Sequence, residues 1–176
     1  MPIGTYNHPL LGEVTFRARQ PIWVRGDHIT FIDGFDPATE VTEVTIPQLR
    51  NIPGSNRGKL GFHRKAHAQI QMVFADIERL DLMRFVRTCA GSFNARLRKP
   101  TSGALSKLPS NHSFGLAIDL NADDGSLGDS VAPVAPVFEA LGFKWGKDFN
   151  DPMHFEVDEF IEDPESVSAH LAAIMR

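Results

Sequence analysis

The sequence predicts one compact domain that combines short β-strands with helices. Its 176 residues suffice for one substantial hydrophobic core, and this length gives little reason to expect a second full domain. Hydrophobic residues make up 42% of the chain and charged residues 23%, which is close to the average for globular proteins. Apolar residues recur at every second position in some segments and at every third or fourth in others, so both strands and helices are expected.

Composition excludes several other classes of protein. No apolar run approaches the ~20 residues that cross a bilayer, and no basic segment followed by an apolar stretch opens the chain, so we expect synthesis in the cytoplasm without a signal peptide. The single cysteine, Cys89, rules out an internal disulfide and a four-cysteine zinc site. The formal net charge of −4 argues against sequence-independent binding to nucleic acid.

Residues 1–40 are predicted to form an N-terminal β extension, either within the same domain or as a small arm. Alternating apolar residues indicate a strand over 14–18, and short apolar runs indicate further strands over 22–24 and 29–32. We expect this extension to cover part of the core. Residues 41–176 then form the main body of the protein.

The main body begins with a predicted strand and a long amphipathic helix. Residues 40–46 alternate polar with apolar or β-branched side chains, which indicates a strand with one solvated face. His63 and His67 are four residues apart and could approach one metal ion, but they lack the intervening glutamate of the zincin pattern, so we expect solvent-facing or capping histidines. The helix is predicted over 63–83 from an apolar stripe formed by Ala66, Ile70, Val73, Phe74, Ile77 and Leu80.

The second half of the chain joins short elements through polar loops. Residues 96–108 contain proline and glycine and are expected to form a surface loop. The elements predicted after this loop are a strand over 116–121, a helix over 130–141, strands over 143–145 and 153–157, and a terminal helix that Asp163 caps and Pro164 begins.

Two histidines and one aspartate form the candidate metal site. In the strand over 116–121, alternation directs Asp119 away from the apolar side chains. Gly115 permits a tight bend before this strand, which could return His112 over the same face. His154 lies on the polar face of the last predicted strand. Two imidazoles and one carboxylate are donors of a catalytic zinc site that keeps its fourth position open for water, so one zinc ion is predicted here.

A hydrolytic zinc site also needs a base and a group that stabilises developing negative charge. Asp151 precedes His154 by three residues, so its carboxylate is expected at the mouth of the same strand, where it can take a proton from the attacking water. Arg96 lies in the loop that leads to His112 and could stabilise the oxyanion. The sequence therefore indicates a zinc hydrolase.

Three motifs together resemble those of the VanY-type zinc peptidases. They read Ser-x-His-x-x-Gly-x-Ala-x-Asp at 110–119, Gly-Phe-x-Trp-Gly at 142–146 and Asp-x-Met-His-Phe-Glu at 151–156. The family includes D-alanyl-D-alanine carboxypeptidases and the L-alanyl-D-glutamate endopeptidases found among phage endolysins. The resemblance is strong over residues 88–157 and weaker from Val44 onward.

The resemblance implies a compact α+β fold in which an antiparallel sheet carries the zinc site and helices pack on it. It identifies residues 41–176 as a zinc peptidase catalytic domain that cleaves a peptide bond in the peptidoglycan stem peptide. By motif position, the family's metal ligands correspond to His112, Asp119 and His154. No counterpart in the family is identified for residues 1–40.

The resemblance also assigns the remaining site residues. Asp151 matches the catalytic acid/base, and Arg96 resembles the arginine that steadies the transition state. Ser110 and Glu156 would orient the ligands or the bound substrate. Lys147 replaces the second glycine that many relatives carry after the tryptophan, and this replacement could alter the substrate groove.

The motifs leave two alternatives open. Within the enzyme class, both endopeptidase and carboxypeptidase action on the stem peptide fit the sequence. A non-catalytic, zinc-stabilised module that binds cell-wall peptide or a protein partner could use the same ligands, although such a site would not need Asp151. An enzyme of this kind made without a signal peptide would reach the cell wall after lysis, injection or phage delivery.

Overall fold

The α+β architecture expected for the chain is confirmed. The computed structural model describes residues 1–124 and 128–174. These residues form four α-helices and nine strands, and the strands pair antiparallel in three sheets. No helix among them is long and apolar enough to cross a membrane. The boundary expected at residue 40 stays a prediction.

The first sheet contains the N-terminal strands. It comprises β1 (Ile3–His8), β2 (Gly12–Ala18) and β3 (Ile29–Asp33), in the order β1-β2-β3. The apolar side chains of β2 alternate as predicted, and Val14 and Phe16 are fully buried. Because Val14 packs into the main core, this sheet covers the body of the protein.

The prediction of a strand over residues 22–24 is wrong. These residues lie in a loop between β2 and β3. Asp27 closes the loop, because its Oδ2 accepts a hydrogen bond from the backbone N–H of Gln20 at 2.8 Å. An apolar residue of this segment instead makes a side-chain contact: the ring of Trp23 packs against that of Phe16, with centroids 6.2 Å apart.

The second sheet leads into the main helix. It pairs β4 (Val41–Thr45) with β5 (Lys59–His63), and the short helix α1 (Pro37–Glu40) precedes it. The main helix, α2 (His67–Arg79), follows β5. Its apolar stripe packs as predicted, and the fully buried members within the helix are Ile70, Val73, Phe74 and Ile77.

The main helix begins later than the predicted residue 63 because His63 caps a 3-10 turn that precedes it. The Nδ1 atom of His63 accepts a hydrogen bond from the backbone N–H of Lys65 at 3.3 Å. His63 is only 1% exposed, so it caps from within the core and does not face solvent. His67 donates through Nε2 to the carbonyl oxygen of Phe62 at 3.0 Å. Both histidines therefore organise the start of this helix.

The third sheet confirms the strands predicted over 116–121, 143–145 and 153–157 and adds a further strand at Cys89–Gly91. Its members, in the spatial order β6-β7-β9-β8, are β6 (Cys89–Gly91), β7 (Ala117–Leu120), β9 (His154–Val157) and β8 (Phe143–Trp145).

Two further helices are found in this half of the chain, one between β7 and β8 and one after β9. The helix α3 (Ala135–Ala140) begins later than the predicted residue 130, because residues Asp129–Val134 form a 3-10 turn that contains Pro133. The last helix, α4 (Pro164–Ile174), begins where predicted. Asp163 caps it by accepting a hydrogen bond from the backbone N–H of Ser166 at 3.0 Å.

The two faces of the third sheet differ in polarity. On the core face, Ile118 and Phe155 are fully buried, and the ring of Phe155 stacks on Phe138 of α3 with centroids 4.0 Å apart. On the opposite face, β7 and β9 present Asp119 and His154. The sheet therefore uses one face for packing and leaves the other for a polar site.

Candidate metal centre

Strand pairing brings Asp119 and His154 together. The two residues are directly opposite each other in the antiparallel register of β7 and β9. Residues opposite each other in such a pair project their side chains to the same face. Asp119 Oδ1 consequently lies 3.0 Å from His154 Nδ1.

His112 reaches the same point through the bend predicted at Gly115. It lies in a 3-10 turn (Asn111–Phe114), which Gly115 ends with a left-handed φ of 64°. A Cβ atom at position 115 would lie only 2.9 Å from the backbone nitrogen of His63, so glycine is required both by conformation and by space. The turn places His112 Nε2 3.1 Å from Asp119 Oδ1.

The three donor atoms fit a tetrahedral metal ion. The potential ligand atoms of His112, Asp119 and His154 all lie within 4.8 Å of one another. Ligands at about 2.0–2.1 Å from a tetrahedral zinc ion are about 3.3 Å apart, and the two observed nitrogen-to-oxygen distances, 3.1 Å and 3.0 Å, are close to that value. The His-Asp-His group could therefore hold a metal ion.

The outer nitrogen of each histidine faces an acceptor. His112 Nδ1 lies 2.8 Å from the carbonyl oxygen of Ser92, and His154 Nε2 lies 2.9 Å from Glu156 Oε2. Because both partners only accept, each ring donates on that side, and a neutral ring then turns a lone pair toward Asp119. The three converging lone pairs repel one another unless a cation, either protons or a metal ion, lies between them.

The pKa values of Asp119 and His154 reflect the close approach of their ligand atoms. Burial opposes the charge on Asp119, but its contacts with His112 and His154 outweigh burial and hold the pKa of that carboxyl well below its usual range. Burial also opposes the charge on His154, yet the hydrogen bonds to Asp119 and Glu156 raise its pKa to about 9. A metal ion would take the place of these protons, because it needs the same lone pairs.

Asp151 lies beside the His-Asp-His group. Within the described residues, its buried Oδ1 atom has no hydrogen-bond partner, and burial raises the pKa of this carboxyl. Its backbone is fixed, because Asp151 N–H donates to Gly146 at 2.9 Å and the Asp151 carbonyl accepts from His154 N–H at 3.0 Å. A Cβ atom at position 146 would lie 2.2 Å from the Asp151 carbonyl oxygen, which explains the glycine there.

Arg96 and Ser110 lie on the walls of the cavity that contains the site. The cavity has a volume of about 380 Å³. Burial lowers the pKa of Arg96, while the charges of Asp119 and Asp151 oppose that effect. Ser110 caps the turn that carries His112, because its Oγ accepts from the His112 backbone N–H at 3.4 Å. Six of the seven residues predicted for the site line this cavity, and the seventh, Asp119, contacts two of them, His112 and His154.

Several cavity residues were not identified from the sequence. Arg98, Lys99 and Lys144 add positive charge to the walls, and Asn111 and Phe149 also line the space. The ring of Phe149 is 41% exposed and lies 5.8 Å from that of His154. Asn111 and Lys144 carried a signal in the sequence, since each stands between two residues of a motif.

Comparison with known proteins gives a match over the segment that carries the site. A family model described as D-alanyl-D-alanine carboxypeptidase matches residues 104–157, about a third of the chain. This segment contains the His-Asp-His group together with Asp151 and Glu156. Neither curated proteins nor solved structures gave a match. The segment that carries the site is therefore similar to the D-alanyl-D-alanine carboxypeptidase family, and the resemblance to VanY-type peptidases is confirmed over that segment.

Proposed function

We propose that this protein is a zinc-dependent peptidase that hydrolyses a peptide bond in the peptidoglycan stem peptide. The observation that carries the proposal is the convergence of His112, Asp119 and His154 within a segment that matches a carboxypeptidase family. The family match and the donor set together support a metallopeptidase. Zinc fits best among metals, because two imidazoles and one carboxylate form an open zinc site.

The proposed metal centre requires ligands that stay in place and stay deprotonated. When bound, zinc would act as a Lewis acid and lower the pKa of a water molecule toward about 7. His112 and His154 would present Nε2 and Nδ1, and the hydrogen bonds to Ser92 and Glu156 would hold both rings in the required tautomer. Asp119 would complete the set as the anionic ligand.

Asp151 is the proposed general base and acid. Its raised pKa brings the carboxyl closer to neutral pH, where proton transfer in both directions is most efficient. Its unpartnered Oδ1 would accept a proton from the attacking water. The same atom would return this proton to the amine of the departing peptide, so that the base is regenerated in each cycle.

Arg96 is the proposed partner of the oxyanion. Its guanidinium lines the cavity, and within hydrogen-bond distance it contacts only its neighbouring Leu97 carbonyl, at 3.2 Å, among the described groups. The remaining donors of the guanidinium are therefore available for a substrate. A fixed cation in a partly buried site stabilises negative charge on a carbonyl oxygen more strongly than water does.

The cavity favours a small anionic peptide. Its volume of about 380 Å³ lies within the usual range of ligand pockets, about 300–1,000 Å³. Arg98, Lys99 and Lys144 supply positive charge for a substrate carboxylate, and the exposed ring of Phe149 offers an apolar surface. Both a terminal D-alanine and a D-glutamate residue carry such a carboxylate, so D-alanyl-D-alanine carboxypeptidase and L-alanyl-D-glutamate endopeptidase activities are both proposed.

The second candidate is a zinc-stabilised module that binds cell-wall peptide or a protein without cleaving it. A structural zinc site is normally closed by four protein ligands. The described ligand group has three members, and Asp151 keeps an unpartnered oxygen beside it. Both features favour the enzyme, which would act on the cell wall after lysis, injection or phage delivery.

Digestion of purified muropeptides by the zinc-loaded protein, followed by mass spectrometry, tests the proposal. Loss of a terminal D-alanine identifies the carboxypeptidase, and cleavage after L-alanine identifies the endopeptidase. The His154→Ala variant should bind no zinc and give no products. Intact muropeptides in the presence of stoichiometrically bound zinc would favour the binding module.

A further inference from the structure

The N-terminal sheet reaches the metal centre through His8, the last residue of β1. His8 is 3% exposed, and its Nε2 atom lies 3.0 Å from Asn111 Oδ1, although 103 positions separate the two residues. Asn111 directly precedes His112 and lines the cavity. The contact therefore joins the part of the chain without a family counterpart to the motif that carries a metal ligand.

The donor and acceptor at each end of this contact are fixed by a neighbouring hydrogen bond. The backbone N–H of Leu10 donates to His8 Nδ1 at 3.1 Å, so Nδ1 is the acceptor and Nε2 carries the ring proton. Burial lowers the pKa of His8, which keeps the ring neutral. His8 Nε2 therefore donates to Asn111 Oδ1, and this assignment leaves the Asn111 NH2 group free to donate elsewhere.

The Asn111 side chain also contacts the carboxylate of Glu156. Asn111 and Glu156 line the same cavity, and their side chains are joined by a hydrogen bond in which the amide NH2 donates, because an ionised carboxylate only accepts. Glu156 Oε2 in turn accepts from His154 Nε2 at 2.9 Å. His154 is then left with Nδ1 directed at Asp119, 3.0 Å away.

We infer that His8 is a positioning residue for the metal centre. Through Asn111 it orients Glu156, and Glu156 fixes the tautomer and the ring orientation of the ligand His154. This inference rests on the proposed zinc site and gives the N-terminal sheet a role within it. Hydrogen-bond partners of metal-bound histidines typically contribute about 10- to 100-fold to metal affinity.

Packing alone is the competing explanation for His8. Its ring lies 4.5 Å from that of Phe114 and 5.7 Å from that of Tyr6, so it also fills space in an aromatic cluster. The His8→Phe variant keeps a ring in the cluster and removes both the Nε2 donor and the Nδ1 acceptor of the Leu10 N–H. The His8→Gln variant loses the ring but keeps a side-chain NH2 group that can donate to Asn111. The two variants therefore separate hydrogen bonding from packing.

The test measures the zinc dissociation constant of the full chain by competition with a chelator, and the absorption spectrum of the cobalt-substituted protein. We expect His8→Phe to weaken zinc binding about ten-fold and to change the cobalt spectrum, whereas His8→Gln should restore most of the affinity. Asn111→Ala breaks the same path from its other end and should weaken zinc binding equally. The double variant should bind zinc no more weakly than either single variant, because both act through one path.

Tyr6→Phe is the matched control on the same strand. It removes a hydroxyl group that accepts from Arg98 Nη2 at 3.1 Å and leaves the path through His8 intact, so zinc affinity should not change. Wild-type zinc affinity and an unchanged cobalt spectrum in His8→Phe, or additive losses in the double variant, would overturn the inference. A wild-type chain that binds no zinc would overturn the proposed function as well, so the two failures are distinguishable.

Discussion

Asp119 Oδ1 lies 3.0 Å from His154 Nδ1 because the two residues are opposite each other on neighbouring antiparallel strands. A slip of one residue in this register would turn one of the two side chains into the hydrophobic core. The apolar residues that alternate with them, such as Ile118 and Phe155, therefore protect the site geometry as well as the fold. The register of β7 and β9 therefore determines both the packing of the sheet and the assembly of the metal site.

Substitution of Asp151 tests the proposed proton transfer. We expect Asp151→Asn to lower kcat by about 10²- to 10⁴-fold, because the amide keeps the shape of the side chain but cannot accept the proton. Zinc content should stay at the wild-type level, since Asp151 is outside the ligand group. Muropeptide hydrolysis rates and elemental analysis check both expectations. Asp148→Asn, which changes an exposed carboxylate nearby, should leave both unchanged, and full activity in Asp151→Asn would remove this residue from the mechanism.

Substitution of Arg96 tests stabilisation of the oxyanion. We expect Arg96→Met to lower kcat by about 10²- to 10³-fold with a smaller effect on KM, because the charge it stabilises develops in the transition state. Steady-state kinetics on a synthetic stem peptide separate the two constants. Arg84→Met removes an exposed guanidinium that pairs with Asp81 and should not alter either constant. A change confined to KM would reassign Arg96 to substrate binding.

The bend at Gly115 links folding to the site. Gly115→Ala should destabilise the protein by about 1–3 kcal/mol, because alanine resists the left-handed conformation and its Cβ would press on the backbone of His63. Displacement of His112 should also weaken zinc binding. Urea denaturation and chelator competition measure the two effects.

Gly12 provides the control for backbone strain alone. Its φ is 81°, and a Cβ atom there would meet no atom within 4 Å. Gly12→Ala should therefore cost about 1 kcal/mol without any change in zinc affinity. Equal losses of zinc affinity in the two variants would contradict the proposed role of the bend.

His63 should make stability depend on pH. Burial lowers the pKa of His63 to about 4, well below the value of about 6.5 expected for the unfolded chain. Between these two values the unfolded chain binds a proton that the folded protein does not, so stability is full above pH 6.5 and falls as pH decreases toward 4. Urea denaturation at pH 7 and pH 4.5 should show a loss of about 2 kcal/mol from this residue.

The variant His63→Asn isolates this effect. Asparagine does not titrate, and its side-chain oxygen can still cap the backbone N–H of Lys65. The variant should lose about 2 kcal/mol less than the wild type on the same acidification. Identical pH profiles for the two proteins would show that His63 does not carry the effect.

Hydrophobic patterns within a single strand or helix predict those features that depend on that element alone. Alternation places Asp119 and His154 on the polar faces of their strands, and the apolar stripe predicts α2, because each signal lies within one element. The same reasoning is wrong for residues 22–24, where a side-chain contact of Asp27 with the backbone closes a loop. Local hydrogen bonding there prevails over the short apolar run that indicated a strand.

Long-range contacts account for what the sequence does not reveal. The contact between His8 and Asn111 joins residues 103 positions apart, and nothing in the N-terminal pattern indicates a partner at that distance. The hydroxyl of Tyr6 and the guanidinium of Arg98 meet for the same reason, through the folded arrangement of the first sheet. Motif residues, including Ser110 and Glu156, could be predicted because they share one segment, whereas the contact that His8 makes with this segment could not.

X-ray absorption spectroscopy of the zinc-loaded protein, combined with the zinc content of the His154→Ala variant, tests the central claim most directly. The account predicts one zinc ion per chain, bound by two imidazole nitrogens at about 2.0–2.1 Å and by oxygen ligands that include the Asp119 carboxylate and a water molecule. It also predicts that His154→Ala loses the ion. A fourth protein ligand, or stoichiometric zinc in that variant, would contradict the account.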